Sequence, residues 1–462
     1  MLRKNKKVDM TEGPFLKKMI AFAIPLIITG LLQCLYNAAD LIVVGQFRGD
    51  VAVAAVGSTG SLTNLMIGLF MGLSVGSGVL VAHYVGAKED GEVKKVVHTS
   101  VIVAVVLGII VAVFGFFCAG WLLTLMDTPV EVLAHATLYM KIIALGFPAS
   151  ILYNYIAAML RSAGDSKRPL IFLSISGIAN VALNILLVTV FDMGVDGVAV
   201  ATIVSQYLSA IMAFVYILKT SGVLRFLFKD MRINWIKVKR MLYIGIPSGI
   251  QGTLFSLSNV LIQSSINGFG DDVVAGSAAS SNIEGFVYIA MNSIYHVALT
   301  FIGQNVGARK YKNIRRLVVY STLIVATIGI TTGLTGVVFR YPLIGLYVSS
   351  EAALEAAFTR FMIIMPTYFI CGMMDVFCGA LRALDRSVTA MIISLCGACG
   401  FRILWIQTIF RWNATPESVY LSYPVSWIIT AGFHLLFVFL VARKLMKNAK
   451  SDGLLEPITD KK

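Results

Sequence analysis

Apolar runs of about twenty residues or more recur along nearly the whole chain, and nothing else constrains its fold as strongly. A helix of about 20 apolar residues is long enough to cross the hydrocarbon of a bilayer. Composition points the same way. Hydrophobic residues make up 58% and charged residues 13% of the 462, with a mean hydropathy of +0.83. A soluble domain carries about 25% charged residues. One soluble core cannot hide this much apolar surface, so lipid must cover part of it. The expected fold class is therefore an all-α polytopic membrane protein. Twelve spans are expected, at about 17–46, 51–82, 95–122, 131–160, 169–190, 195–218, 241–268, 273–304, 314–339, 352–381, 387–409 and 416–442. Pro25, Pro148, Pro247, Pro366 and Pro424 lie inside these runs, where each removes a backbone hydrogen bond and is expected to bend its helix. The basic start MLRKNKKVDM is not followed by a short apolar stretch with a small-residue cleavage site, so the first run is expected to stay in the protein.

Charge orients the spans. Of the 38 Lys and Arg residues, 32 fall at the N-terminus, in the loops near 86–95, 161–168, 219–240, 309–316 and 382–386, and in the tail from Arg443. All of these lie on one side of a twelve-helix chain. The opposite loops carry Arg48, Arg340 and Arg411 against Asp50, Asp127, Glu131, Asp192, Asp196, Asp271, Asp272, Glu351, Glu355 and Glu417. The positive-inside rule places both termini in the cytoplasm of a bacterial-type cell, with the chain multi-pass in its (inner) membrane. The net charge of +14 is then a topology signal and a contact with anionic lipid headgroups. Nucleic acid is not an expected partner, because no basic soluble domain with interleaved aromatics exists to bind it.

The chain also repeats itself. HYVGAKEDGEVKKVVHTS (83–100) aligns with QNVGARKYKNIRRLVVYS (304–321) at an offset of 221. The same offset pairs Leu160–Arg161 with Leu381–Arg382 and Ser205 with Ser426, while AFAIP (21–25) pairs with YIGIP (243–247) at 222. A near-constant offset over most of each half marks a duplication. Six spans per half is an even number, so both halves enter from the same side as a parallel repeat. The expected organisation is an N-terminal six-helix bundle (1–218), a linker (219–240) and a C-terminal six-helix bundle with a short tail (241–462). The basic linker carries Phe226, Phe228 and Trp235, which suggests a helix lying at the cytoplasmic interface.

Ionisable groups inside spans are costly to bury and so are the first candidates for function. Three acids lie well inside apolar runs: Asp40, Glu284 and Asp375. Tyr36 and Asn37 precede Asp40 by four and three residues and share its helix face. Desolvation would make proton binding by Asp40 plausible near neutral pH, and a permanently hydrogen-bonded structural acid is the alternative. Asn180 and Asn184 are one turn apart on one face, able to ligate a cation, to hold Asp40, or simply to bond neighbouring helices. Thr202 is a weaker instance of the same pattern. In the second half, Glu284 and Asp375 could bind substrate or a coupling ion, or either could pair with Arg402.

Other signals read blandly. GLSVG (72–76) fits a hydrolase motif but sits within an apolar run, where Gly68, Gly72 and Gly76 form a small-residue stripe that lets helices approach closely. Cys396 and Cys399 have C-x-x-C spacing inside a span without polar neighbours for a metal or redox site. The five histidines have no metal-like spacing. No nucleophile–base pair or metal triad is apparent, so an enzyme, a bound cofactor and a resident metal are not expected.

At IPLIITGLLQCLYNAADLIVVGQF, YVGAKEDGEVKK with NVGARKYKNIRR, LRSAGDSKRP with LRALDRS, and YPVSW (423–427), the chain resembles the multidrug and toxic compound extrusion (MATE) transporters over nearly its whole length. The resemblance implies two six-helix bundles related by a pseudo-two-fold axis. It implies export of organic, often cationic compounds against inflow of H+ or Na+. It also implies that Asp40, Asn180, Asn184 and Thr202 form a cation-linked cluster, where Na+ could bind transiently. Neutralising Asp40 is expected to bend the first helix near Pro25, with Pro247 its counterpart in the second half. Asn184 stands where some members carry a second acid, and Phe255 where others place a functional Glu. The expected working unit is a monomer in lipid. The alternative reading is a flippase for lipid-linked saccharide precursors, from a related family.

Overall fold

The computed structural model describes residues 9–451 apart from Gly49 and Asp127. Asp127 of the acidic loops, the basic residues before position 9 and those after 451 therefore lie outside the described residues. The first six long helices are α1 (Phe15–Arg48), α2 (Asp50–Gly86), α3 (Asp90–Leu125), α4 (Val130–Ser162), α5 (Lys167–Val190) and α6 (Val195–Lys219). The next six are α7 (Trp235–Asn267), α8 (Asp271–Gly307), α9 (Lys312–Val338), α10 (Glu351–Ala383), α11 (Ser387–Trp412) and α12 (Pro416–Ser451). No strand occurs among the described residues. Among the described residues, eleven of these helices contain a stretch long and apolar enough to cross a membrane. The exception is α7, which is long enough at 33 residues but is diluted by Ser248, Gln251, Ser256, Ser258, Asn259 and Gln263.

The prolines act in two ways. Pro25, Pro148, Pro247 and Pro424 are accommodated inside helices, and Thr29 Oγ1 donates to the Pro25 carbonyl at 2.6 Å. Pro366 instead sits in a 3₁₀ turn, Met365–Thr367, that interrupts α10. A π turn ends α5 at Leu186–Val190, and another lies inside α11 at Leu395–Gly400.

Two compact units form. One holds residues 22–81 and 89–253, the other residues 9–21, 82–88 and 254–451. In the first, α4 packs on α3 and α6 around Leu123, Met140, Phe147, Ile151 and Tyr155. The expected glycine stripe works at two of its three positions: a methyl at Gly72 would overlap the backbone of Gly249, and one at Gly76 the carbonyl of Met241, whereas Gly68 has open space around it. In the second unit α8 packs on α9, α10 and the strap of residues 9–14. Met10 of that strap is fully buried, with its carbonyl accepting from Asn305 Nδ2 at 2.8 Å.

The duplication is visible in the backbone. Lys88 and Arg309, which correspond at offset 221, both take left-handed φ values, 59° and 56°. Gly164 and Asp385, related by the same offset, do so too, at 93° and 61°. The linker differs from expectation. Residues 221–227 are not helical, a 3₁₀ turn covers Phe228–Asp230, and α7 begins only at Trp235. The interfacial helix is absent because Phe226 turns inward: it is 1% exposed, stacks on His98 at 4.8 Å and packs on Phe214. Trp235 and Phe228 remain exposed.

Candidate substrate and coupling-ion sites

In the first unit three helices converge on one carboxylate. Asp40 of α1 is 9% exposed, so its oxygens need partners from the protein or a ligand. Asn184 Nδ2 of α5 donates to Asp40 Oδ1, and Thr202 Oγ1 of α6 lies 3.4 Å from Oδ2. Asn180, one turn before Asn184 on the same face, also bonds the carboxylate, and its Oδ1 lies 3.4 Å from Asn184 Nδ2. Among the described residues no Lys, Arg or His lies within ion-pair distance of Asp40. Asn184 Oδ1 is buried and has no hydrogen-bond partner among the described residues. The cluster thus combines one carboxylate, two amides and a hydroxyl, all oxygen-bearing and neutral apart from the acid. Hard monovalent cations and protons suit such a set.

Tyr36 is half-buried one turn before Asp40, its hydroxyl 3.4 Å from the Ser174 carbonyl. Its ring lies against Gly177, where a methyl group would overlap it. Asn37 is exposed, and no hydrogen bond ties it to the cluster among the described residues. Tyr139 of α4 is buried within electrostatic reach of Asp40, and nothing in its sequence neighbourhood distinguished it.

The second unit corrects one expectation. Neither Glu284 nor Asp375 pairs with Arg402. Glu284 of α8 takes a two-pronged ion pair from Arg360 of α10, Nε to Oε1 at 2.9 Å and Nη2 to Oε2 at 2.7 Å. Ser280 donates to Oε1 at 2.9 Å, and Arg360 Nη1 bonds Ser277 Oγ at 3.0 Å. Close packing of α8 on α10 is what selects this partner. Asp375 instead meets Asn292 Nδ2 at 3.5 Å and bonds Tyr288, both on α8. Arg402 of α11 is 2% exposed and turns toward α12, its Nε donating to Ser426 Oγ at 2.9 Å. Its guanidinium lies over the Tyr423 ring at 4.3 Å. Arg360 is visible in the sequence as one of the few cations within the spans, but nothing there pairs it with Glu284; the tyrosines carried no signal.

The family model described as MatE matches residues 25–186 and 247–406, one stretch in each half. The chain is 27% identical over 424 residues to the probable multidrug resistance protein YoeA of Bacillus subtilis, covering 90% of this chain and 91% of that one. It is 23% identical over 399 residues to the multidrug export protein MepA of Staphylococcus aureus, covering 86% and 88%. A solved structure described as the outward-facing conformation of a multidrug resistance MATE family transporter of the MOP superfamily superposes with a TM-score of 0.90. The match has 19% identity and covers 96% of this chain and all of that one.

Proposed function

This chain belongs to the MatE family of membrane transporters, and from that premise we propose that it exports small organic, often cationic compounds in exchange for inflowing H+ or Na+. It does so as a monomer in the cell membrane, with both termini on the cytoplasmic side. The observation that carries this reading is a buried carboxylate, Asp40, surrounded by neutral oxygen and amide groups with no cationic partner among the described residues.

Ionised, Asp40 favours the arrangement that holds a cationic substrate, with Tyr36 offering an aromatic face. A proton or sodium ion arriving at Asp40, with Asn180, Asn184 and Thr202 as neighbours, cancels the charge that held the substrate. Pro25 lies 15 residues before Asp40 on α1 and leaves one backbone bond unmade. Bending there is the movement that shrinks the site. Release follows because substrate and coupling ion bind the two arrangements with different affinity. The membrane potential adds about 2.3 kcal/mol per charge per 100 mV.

Gradient-driven export of a fluorescent organic cation from everted vesicles tests the assignment. Asp40→Asn is expected to abolish accumulation while the protein still reaches the membrane. Undiminished accumulation by that variant, under proton and sodium gradients imposed separately, rejects it. The alternative of flipping lipid-linked saccharide precursors calls for several uncommitted cationic side chains. Arg360 is committed to Glu284, which favours export.

A further inference from the structure

Arg402 is a buried cation without an anion. Among the described residues no carboxylate lies within ion-pair distance of it, and its two hydrogen bonds go to neutral oxygens. These are Ser426 Oγ at 2.9 Å from Nε and Asn259 Oδ1 at 3.5 Å from Nη1. The remaining nitrogen, Nη2, makes no hydrogen bond within the described residues. A guanidinium does not deprotonate in proteins, so Arg402 cannot escape the cost of burial by losing its charge. The rings of Tyr423 and Trp427, at 4.3 and 5.9 Å, offset part of that cost but supply no counter-charge. The nearby pair is balanced in itself, since Arg360 is matched by Glu284.

The duplication gives this residue its meaning. At offset 221, Thr202 corresponds to Tyr423, Ser205 to Ser426, and Val181, beside Asn180, to Arg402. Between α1 and α7, where the offset is 222, Asn259 corresponds to Asn37, three residues before Asp40. The second half therefore rebuilds the Asp40 cluster from the equivalent helices α7, α11 and α12, with the sign of the charge reversed. Asn259 is exposed, so the guanidinium has an accessible neighbour at its Nη1 end. The aromatic walls continue from Trp427 to Tyr368, 5.4 Å away.

We infer that Arg402, flanked by Asn259, Ser426, Tyr423 and Trp427, binds the carboxylate of a monoanionic or zwitterionic aromatic substrate. One unpaired guanidinium matches one negative charge, and its planar fork matches a carboxylate. The surrounding rings match an aromatic body. This deepens the export reading and rests on it: the transporter accepts aromatic acids as well as organic cations.

The test uses full-length protein in detergent, with binding followed by intrinsic tryptophan fluorescence. The probes are 1-naphthoate, the uncharged 1-naphthamide, and chloride, in a buffer whose other anion is a bulky sulfonate. Naphthoate is expected to bind about tenfold or more tightly than the amide. Arg402→Gln is expected to erase that preference. Should Arg402→Gln fail to fold, Asn259→Asp places an internal carboxylate beside Nη1 at an exposed position, and it too is expected to erase the preference while amide binding persists. Equal binding of acid and amide by the wild type overturns the inference, as does an acid preference that survives in folded Asn259→Asp. Chloride that reproduces the full response with comparable affinity overturns it in favour of an inorganic counter-ion. Transport of both a cationic probe and naphthoate is measured separately in proteoliposomes. Transport of neither, with the acid preference intact, overturns the export reading and supports Arg402 as an acid-binding site.

Discussion

Glu284 and Arg360 show how a single residue's role depends on its partner. Both side chains are 6% exposed, so removing one leaves the other charged, buried and unpaired. Glu284→Gln is expected to destabilise the purified protein by about 3–5 kcal/mol, read as a lowered thermal unfolding midpoint. The double replacement Glu284→Leu with Arg360→Met should recover much of that loss, since an apolar pair leaves no orphaned charge. A second residue-scale prediction concerns pH. Burial pushes the Asp9 carboxyl up, but hydrogen bonds from Thr11 N and Oγ1, both at 2.8 Å, and the charges of Lys18 and Lys310 outweigh it and hold it below the usual carboxylate range. A group depressed in the folded state contributes stability above its unfolded value, lost as pH falls through the folded one. The strap of residues 9–14 should thus stay docked at neutral pH and loosen only below about pH 4. Hydrogen exchange at Thr11 N–H checks this, and Asp9→Asn should exchange faster at neutral pH.

Helix pairs are held by what they leave out. At Gly72 and Gly249, α2 and α7 approach until neither position has room for a side chain. Gly72→Val is expected to cost about 1–3 kcal/mol, or more because the overlap is with backbone. Gly68→Val should be near neutral, since its surroundings are open. Comparing thermal midpoints of the two variants separates close approach from a general dislike of bulk in α2. The π turns ending α5 and interrupting α11 lie two and two residues from Asn184 and Arg402 respectively, where local over-widening of the helix can re-aim a side chain. At α10, the turn at Pro366 separates the segment bearing Arg360 from the one bearing Asp375, so one apolar run presents two polar groups to α8 in different registers.

For the whole molecule, the separation of charge predicts accessibility. Loops rich in Lys and Arg are expected on the cytoplasmic side. In a background without the six native cysteines, Lys312→Cys should resist a membrane-impermeant maleimide added to intact cells, and Glu351→Cys should react with it. The opposite pattern would invert the topology and the direction of transport. The duplication extends from these loops into the helices: the same left-handed turns recur at Lys88 and Arg309. The two halves share a scaffold but carry charges of opposite sign on non-equivalent helices, acidic at Asp40 of α1 and basic at Arg402 of α11.

Hydropathy, charge bias and the repeat are properties of local sequence, because bilayer thickness and backbone hydrogen bonding dictate them residue by residue. They sufficed for the helical class, for twelve long helices of which eleven are apolar enough to span, and for the doubling. They sufficed also for the grouping of Asn180 with Asn184, which helical periodicity alone imposes. Pairing across helices is another matter. Whether Glu284 meets Arg360 or Arg402, and whether Phe226 lies along the membrane surface or turns inward, depends on which helix faces pack together. Many side chains distant in sequence set that jointly, so only the tertiary structure decided it.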